Sequence, residues 1–567
     1  MKSLKTFVLA LGLLALVATG FAQRGADGTV NLIYWQAVSH LNPYLSSGTK
    51  EINASSLVIE PLVRYDDEGN YVPWLVTELP TIENGGVAAD FTSITYTLLP
   101  DLQWSDGTPV TSRDVEFTWE YCTGATGCAS RGFFSGIDHF TLTDDRTFTI
   151  HFDAPKPVPY SAFVGQQTPV LQEAQFANCM GDAAQTCTDQ NFYPIGTGPF
   201  VPVDFRPNDV ATFEANANYR VPDQPHFQTL VLKGGGDAAS AARAVLETGE
   251  ADWAWNIQIA PEVLAQMEAA GLGAATIGWG TSMERIMFQS TGVDPSLGEN
   301  RGEIMDGNNP HPFLTDRRVR QALAMAIDQE ILVEIGYGHT GAVTCSPIPA
   351  PAAIVPESTK GCEVQDIEGA KALLEEAGWV LGNDGVRTKD GVRLSVLYQT
   401  STNAVRQNFQ ALVQEWWQEI GVEVELKNAD AGVFFGNDVA SPDTYGKFWA
   451  DVQMYTSSAS GTDFQGYIDA YLCEAASQRE NNWLFENNIR YCNPEFDAVY
   501  EELTQTAGID ARNALLARLN EIVVQDYAIV PLVFRGDVSV KANTLLGTAK
   551  NAWDSELWNV AEWHRAD

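Results

Sequence analysis

Apolar and polar positions along the chain follow two periods, and together they predict helices and strands interleaved from one end to the other. Short apolar or alternating runs predict strands over residues 30–35, 93–99, 392–398, 422–426 and 529–534. Apolar positions at helical spacing predict helices over residues 54–59, 111–121, 315–331, 366–378, 404–420 and 510–526. No fixed-period repeat or low-complexity linker interrupts this pattern, so composition does not mark the domain boundaries.

Polar residues and glycines indicate where several of these helices begin and end. Thr111, followed three residues later by Asp114, predicts a capping box at a helix start. Asp366 is expected to cap a later helix, and Gly378 is a typical C-terminal stop for it. Between these regions, the spacing predicts one continuous helix over residues 315–331.

Length and composition are those of a large folded protein with a strong negative charge. A chain of 567 residues is too long for one core, so more than one lobe is expected. Hydrophobic residues make up 45% of the chain, which suffices for globular cores. The 73 acidic and 34 basic residues give a net charge of -39. This charge repels phosphate backbones and anionic headgroups, so neither nucleic acid nor a membrane surface is expected as a partner.

The first residues have the pattern of a secretory signal peptide. Lys2 and Lys5 precede an apolar run over residues 7–17, and small residues then lead to Ala22. We therefore expect residues 1–22 to be removed and the protein to be periplasmic or extracellular. No Cys follows the apolar run, so no lipid anchor is expected, and no later apolar stretch reaches the roughly 18 residues of a membrane span.

The eight cysteines fall as neighbours along the chain. Eight cysteines allow 105 connectivities, and the sequence does not select one of them. In an exported protein we expect structural disulfides between neighbours rather than a metal site, because no C-x-x-C or H-x-x-x-H spacing is present. The expected pairs are Cys122 with Cys128, Cys179 with Cys187, Cys345 with Cys362, and Cys473 with Cys492.

Motifs of common enzyme chemistry are absent from the sequence. There is no G-x-S-x-G, no H-E-x-x-H and no G-x-x-x-x-G-K-[ST], and the seven histidines are scattered singly. Acidic residues are numerous enough that a carboxylate pair for glycoside hydrolysis could form by chance, but none is singled out. We therefore expect no catalytic residues and no cofactor, with a secreted hydrolase as the least favoured alternative.

Several aromatic residues lie in glycine-rich or polar segments. Such residues either fill cores or line a ligand cleft, where flat rings give a large contact area. The candidates for the cleft are Trp253, Trp255, Trp279, Trp449 and Tyr455.

Four groups of motifs resemble one family over nearly the whole chain. They are residues 104–111 running into 114–119, residues 194–200 with 216–219, residues 316–328, and residues 368–378 with 420–422. Together these segments are similar to the extracytoplasmic solute-binding proteins of family 5. This dipeptide- and oligopeptide-binding group serves peptide and nickel type ATP-binding cassette importers.

The resemblance implies an α/β fold of two lobes, the periplasmic-binding-protein fold with a hinge and an extra inserted subdomain. It implies a first lobe built from residues 23–60, 191–280 and 527–567, an inserted subdomain at 61–190 and a second lobe at 281–526. It also implies a monomeric receptor, not an enzyme, which captures a peptide and delivers it to a transmembrane permease.

Ligand-binding positions are carried over from the family only where this sequence matches. Ser47, Gly48 and Thr49 match the loop that offers backbone groups to an extended ligand. Arg406, near the start of a helix, matches the reader of the peptide carboxylate.

The segment that reads the peptide amine departs from the family pattern. The usual acid is missing, and Asp463 is its expected substitute. Hydroxyls at Thr456, Ser457 and Ser458 would suit a neutral polar ligand equally well. An oligosaccharide or another polar solute therefore stays open as the alternative ligand.

Two motifs also carry expectations about the scaffold. Gly196 and Gly198 are expected to adopt backbone conformations barred to other residues. Arg317, Arg318 and Arg320 lie in the first turns of a helix, where the dipole disfavours cations, so we expect carboxylate or carbonyl partners for them.

Overall fold

The computed structural model describes residues 24–46, 48–125, 128–359, 364–436, 438–459, 461–462 and 464–566. The expected signal peptide, Ser47, Cys362 and Asp463 lie outside this range. Within it, the chain forms two large sheets of seven and six strands, each covered by helices. No helix in the described part of the chain is long and apolar enough to cross a membrane.

The seven-stranded sheet forms the centre of the first lobe. Buried apolar side chains of the parallel strands Thr29–Tyr34 and Thr229–Gly234 alternate with less buried ones, which is typical of a strand in a core. In sheet order the strands are Gly273–Gly278, Asp537–Ala542, Trp253–Ala254, Thr29–Tyr34, Thr229–Gly234, Val210–Ala215 and Phe200–Arg206.

The six-stranded sheet forms the centre of the second lobe. Its strand Met283–Phe288 is buried along its whole length because helices and loops cover both faces of the sheet. In sheet order the strands are Gly341–Val343, Ile529–Arg535, Met283–Phe288, Val452–Ser457, Ser395–Ser401 and Glu423–Ala429.

Smaller sheets surround these two. The segment 61–190 contains an antiparallel sheet of Ser93–Thr97, Thr147–Phe152 and Ile137–Leu142. Its apolar side chains join the core of the first lobe. The remaining small sheets pair Val63–Tyr65 with Tyr71–Pro73, Val380–Leu381 with Arg387–Lys389 and Val392–Arg393, and Leu545–Leu546 with His564–Arg565.

Helices pack on both lobes and carry most of the predicted helical segments. In the first lobe and the segment 61–190 they are Thr49–Ser55, Ser112–Gly124, Glu173–Phe176, Thr188–Phe192, Ala238–Leu246 and Pro261–Glu268. In the second lobe they are Arg317–Met325, Gln329–Gly336, Ile367–Glu376, Ala404–Glu419, Ala431–Phe434, Gln465–Ile468, Pro494–Gln505 and Ile509–Gln525.

The chain crosses between the lobes at two points that lie side by side. One crossing is residues 279–282, and the other is Gly536. Ser282 links them, because its carbonyl accepts a hydrogen bond from the Arg535 amide at 2.9 Å and its hydroxyl donates to Asp537 at 2.8 Å. The strand Ile529–Arg535 pairs within the six-stranded sheet, so the expected boundary at residue 527 lies too early in the chain.

Two helix caps are confirmed. The Asp114 carboxylate accepts the Thr111 amide at 2.8 Å, and the Asp366 carboxylate accepts the Gly369 amide at 2.7 Å. Gly378 follows the second of these helices with a φ of +88°, as expected of a C-terminal stop.

Two helix predictions are wrong in their bounds. The helix expected over residues 315–331 is two helices, capped by Asp316 and Asp328, because the chain leaves helical geometry between them. The helix expected over residues 54–59 lies earlier, at Thr49–Ser55.

The motif glycines Gly196 and Gly198 act differently from the expectation. Neither has a positive φ. A β-carbon on Gly196 would lie 1.8 Å from the Val58 carbonyl oxygen, and one on Gly198 would lie 2.6 Å from that of Leu57. Glycine is therefore required by the close approach of two backbone segments.

The motif arginines have the partners expected of them. Arg317 donates to the Gln525 carbonyl, Arg318 pairs with Asp316 at 2.7 Å, and Arg320 donates to the Leu314 carbonyl at 2.7 Å.

Three disulfides lie within the described residues, each between neighbours in sequence. They are Cys122–Cys128, Cys179–Cys187 and Cys473–Cys492. Cys345 is also disulfide-bonded, and its expected partner Cys362 lies outside the described residues.

Candidate functional site

A cavity of about 250 Å³ lies between the two lobes. Its walls come from the first lobe, from the segment 61–190, from the second lobe and from residues 550–556 near the C-terminus. Residues of both lobes line this one cavity, so the two lobes lie against each other around it in this structure. The lobes also touch beside the cavity, where Gln258 of the first lobe donates to the Tyr337 hydroxyl at 3.3 Å and accepts from Asn403.

The first-lobe wall includes the loop and helix start that the sequence singled out. Gly48 and Thr49 line the cavity at the N-terminus of the helix Thr49–Ser55. Lys50 also lines it but is paired with the buried carboxylate of Glu51. Glu51 accepts the Ser39 amide at 3.0 Å, which ties this loop to the first-lobe sheet.

Aromatic rings form much of the wall. Trp255 lines the cavity and stacks on Tyr34 with ring centroids 4.8 Å apart, which holds the indole in place. From the second lobe, Tyr455 lines the cavity together with Phe435 and Tyr445, at centroid distances of 6.0 and 5.4 Å from it.

Three of the predicted tryptophans are not among the lining residues. Trp253 is 1% exposed within the first-lobe core, where its indole donates to Glu556 at 3.0 Å. Trp279 is 44% exposed on the first crossing, against Phe534. Trp449 packs between Arg301 and Lys447 in the second lobe. None of the three lines this cavity, because core packing, the crossing and a cation–π cluster occupy their rings.

Arg406 lines the cavity but is already bound to the protein. Its guanidinium pairs with Glu284 at 2.7 Å and donates to the hydroxyls of Ser401 at 3.0 Å and Thr456 at 3.1 Å. Burial alone would raise the pKa of Glu284, but the Arg406 charge and hydrogen bonds hold that pKa below its usual value. The pair is thus an internal salt bridge, and the expected carboxylate-reading role of Arg406 does not fit its contacts.

Most other charges of the wall are paired as well. Lys550 pairs with Glu556 at 2.6 Å, and Asp554 pairs with Arg64 at 3.1 Å. Arg535 lies 3.5 Å from Asp537 and donates to Thr456 at 3.0 Å.

Arg285 differs from these cations. It lies on the strand Met283–Phe288, is 6% exposed and lines the cavity. Its Nη1 donates to the Tyr471 hydroxyl at 2.9 Å, and its guanidinium lies 5.3 Å from the centroid of the Tyr455 ring. Its Nε has no hydrogen-bond partner, and no carboxylate of the described residues forms an ion pair with it.

Asp469 is an acidic residue of the cavity wall that, like Arg285, has no oppositely charged partner among the described residues. Its carboxyl group lines the cavity and has no cationic partner among the described residues. It lies where the lobes meet, since a β-carbon on Gly132 would lie 2.8 Å from Asp469 Oδ2. Burial raises the pKa of Asp469 well above its usual value, and the negative charge of Glu486 raises it further.

The hydroxyl residues at the end of the strand Val452–Ser457 lie at the cavity. Thr456, Ser457 and Ser458 line it. The Thr456 hydroxyl is engaged, because it donates to Glu284 and accepts from Arg406 and Arg535. Asp463 lies outside the described residues, so its expected role stays a prediction.

Sequence reasoning missed Arg285, Asp469 and Glu486. The adjacent charged residues Glu284 and Arg285 within the apolar strand Met283–Phe288 were the available signal for Arg285. Asp469 and Glu486 lie among many other acidic residues, and no local pattern distinguishes them.

Two lobes, two crossings and a cavity between the lobes are the architecture of a two-lobed solute-binding protein. The sequence matches the family described as "Bacterial extracellular solute-binding proteins, family 5 Middle" over residues 70–478. This chain belongs to that family.

Similar proteins support this assignment. The chain is 25% identical over 523 residues to the periplasmic oligopeptide-binding protein OppA of Salmonella typhimurium, covering 88% of this chain and 85% of OppA. It superimposes on AppA of Bacillus subtilis, in complex with a nonapeptide, with a TM-score of 0.80 at 19% identity, covering 96% and 100% of the two chains. For NikZ of Campylobacter jejuni, in complex with Ni(L-His), the TM-score is 0.79 at 20% identity, covering 95% and 99%.

The family shows what kind of work the protein does. Its members are binding and transport components rather than enzymes, and they are periplasmic or extracellular. The two-lobed α/β fold implied by the motifs is confirmed.

Proposed function

We propose that this protein captures peptides of the dipeptide or oligopeptide type between its lobes and delivers them to the transmembrane permease of an ATP-binding cassette importer. The observation that carries this proposal is the Asp469 carboxyl group, which lines the interlobe cavity without a cationic partner among the described residues. A carboxylate that is partly withdrawn from water is stabilised by a positive charge beside it, and the α-ammonium of a peptide supplies one.

The rest of the wall suits an extended main chain with variable side chains. Gly48 and Thr49 are proposed to offer backbone groups, and Ser457 a hydroxyl. Trp255 and Tyr455 present rings that give contact area without selecting a sequence. OppA, a relative of this chain, is named as an oligopeptide-binding protein, and AppA is described with a nonapeptide.

The second candidate ligand is an oligosaccharide. The observation that favours it is the combination of aromatic faces with the hydroxyls of Ser457 and Ser458 at the cavity. A neutral sugar leaves Asp469 without a counter-charge, so this candidate ranks below a peptide.

Export and domain organisation are part of the same proposal. Residues 1–22 are proposed to direct secretion. We propose the two lobes and the inserted subdomain with the bounds expected from the sequence, except that the strand pairing moves the end of the second lobe. The second lobe extends from residue 281 to 535, and the chain returns to the first lobe at 537.

The test is binding by a library of unmodified di- to pentapeptides, followed by thermal unfolding and calorimetry. Ligand that binds only the folded protein stabilises it by about 2.7 kcal/mol at a hundredfold excess over Kd, so a bound peptide raises the melting temperature. N-acetylation removes the ammonium and is expected to weaken binding at least tenfold.

The matched control is Asp469→Asn, which keeps the shape of the side chain and removes its charge. In this variant, free and N-acetylated peptides are expected to bind with similar affinity. A melting temperature raised by oligosaccharides and by no peptide would overturn the peptide proposal in favour of the second candidate.

A further inference from the structure

Arg285 is placed at the cavity by the pairing of two strands. In the register of the second sheet, Arg285 lies opposite Tyr455, and Glu284 lies opposite Thr456. Facing residues of antiparallel strands share a side of the sheet, so Arg285 shares its side with Tyr455, whereas Glu284 and Thr456 share the other with Arg406. The strand thus separates a self-contained ion pair from a guanidinium that is not part of it.

Arg285 differs from the other cationic residues of the cavity in having no carboxylate partner among the described residues. Each of the other four forms an ion pair with a protein carboxylate: Lys50, Arg406, Arg535 and Lys550. Arg285 has the Tyr471 hydroxyl and the Tyr455 ring, and its buried Nε has no acceptor within the described part of the chain. A guanidinium that is 94% buried and lacks an anion is costly for the fold, unless an anion arrives with the ligand.

We propose that Arg285 binds a carboxylate of the captured ligand, and that ligands are selected for carrying one. This inference rests on the proposed function, because it concerns the opposite charge of the same peptide. Planar bidentate contact is the geometry in which arginine binds carboxylates most strongly. The carboxylate belongs either to the C-terminus of the peptide or to an acidic side chain, and the experiment separates these sources.

The surrounding charges favour a carboxylate over a doubly charged anion. Asp469 and Glu486 line the same cavity, and so do Asp537, Asp554 and Glu556. One guanidinium without an anionic partner can balance a single negative charge, whereas a phosphate dianion would be repelled by this acidic wall.

The experiment compares two tripeptide libraries of matched sequences, one with free and one with amidated C-termini, in calorimetric titrations. The full-length protein is expected to bind the free acids at least tenfold more tightly than the amides. In Arg285→Gln this ratio is expected to fall below twofold, and Arg285→Lys is expected to restore part of it. Arg479→Gln changes an exposed arginine paired with Glu299 and is the control that keeps the full ratio.

The ratio is taken within each variant, so a change in overall stability does not affect it. Amidated tripeptides that contain Glu form the second arm. If these bind tightly and lose affinity in Arg285→Gln, Arg285 reads a side-chain carboxylate, which supports the proposal for that source. A preference for free acids that persists in Arg285→Gln overturns the role of Arg285 but leaves peptide capture intact. Binding by no member of either library overturns the peptide proposal and this inference with it.

Discussion

Single charged residues in the cavity wall divide into those satisfied by the protein and those that are not. Glu284 and Arg406 are fully desolvated but satisfy each other at 2.7 Å. Arg285 is buried and Asp469 is half-buried, and neither has such a partner among the described residues. Burying a lone charge costs several kcal/mol. The paired residues therefore stabilise the cavity wall, whereas the unpaired residues are candidates for contact with a charged ligand.

Replacing Arg406 tests that distinction. Arg406→Met removes the guanidinium that is hydrogen-bonded to the buried Glu284 carboxylate and leaves only the weaker influence of Arg535, so the free energy of unfolding is expected to fall by about 3–5 kcal/mol. Arg285→Met removes a buried charge that has no carboxylate partner among the described residues, so the free energy of unfolding is expected to stay the same or to rise. Urea unfolding of the two variants without ligand measures both effects. An equal loss of stability in the two variants would show that Arg285 is also a structural residue.

At the level of elements, the helix Ser112–Gly124 shows how one side chain joins two segments. The Asp114 carboxylate accepts the Thr111 amide at 2.8 Å and also the Glu173 amide at 3.0 Å. The helix start is thereby attached to the helix Glu173–Phe176. Burial raises the pKa of Asp114, although its hydrogen bonds act in the opposite direction.

Asp114→Ala removes both of these contacts. Two half-buried amide groups lose their acceptor, so the free energy of unfolding is expected to fall by about 2 kcal/mol. Urea unfolding, with the exposed Asp138→Ala as a control in the same segment, measures the loss. A value equal to that of the control would mean that water replaces the carboxylate at this helix start.

The sequence predicted those elements whose signals are local. The caps at Asp114 and Asp366 were predictable because a capping side chain acts within three residues of itself. The break between the helix capped by Asp316 and the helix capped by Asp328 was not predictable, because the apolar spacing continues across it. Gly196 illustrates the same limit, since its need for glycine comes from the distant Val58 carbonyl.

The candidate site was predictable only where it lies in recognisable segments. Gly48, Thr49, Trp255, Tyr455 and Ser457 all line the cavity. The role proposed for Arg285 rests on the absence of an ion-pairing carboxylate among the described residues. The surroundings of a side chain are set by the tertiary fold rather than by its neighbours in sequence.

At the level of the whole molecule, closing the lobes without a ligand buries charges that nothing balances. This arrangement of the lobes places Asp469 against Gly132 and shields its carboxyl group from part of the solvent. A ligand with the complementary charges removes this penalty, so it favours the closed form by its difference in affinity for the two forms.

Closure without ligand should therefore depend on pH. The pKa of Asp469 is raised by burial in the closed form, with further contributions from Glu486 and Glu474, so the closed form binds this proton more tightly than an open form. As the pH falls from 7.5 to 5, the closed form is expected to gain population. Small-angle scattering of the ligand-free protein should show a decreasing radius of gyration.

Asp469→Asn provides the comparison for this measurement. The variant is neutral at every pH, so it is expected to be more compact than the unaltered protein at pH 7.5 and to change less on acidification. A wild-type radius that is the same at both pH values, or that falls equally in the variant, would contradict this role of Asp469.

The neighbouring crossings at residues 279–282 and Gly536 limit how the lobes can move. Two strands joined through Ser282 allow the lobes to swing about the line that passes through both, and they resist twisting or sliding. Every swing therefore brings Gly132 toward Asp469 along one path. A ligand with a bulky group between Gly132 and Asp469 would stop this movement before the lobes meet, however well the rest of the ligand fits the cavity.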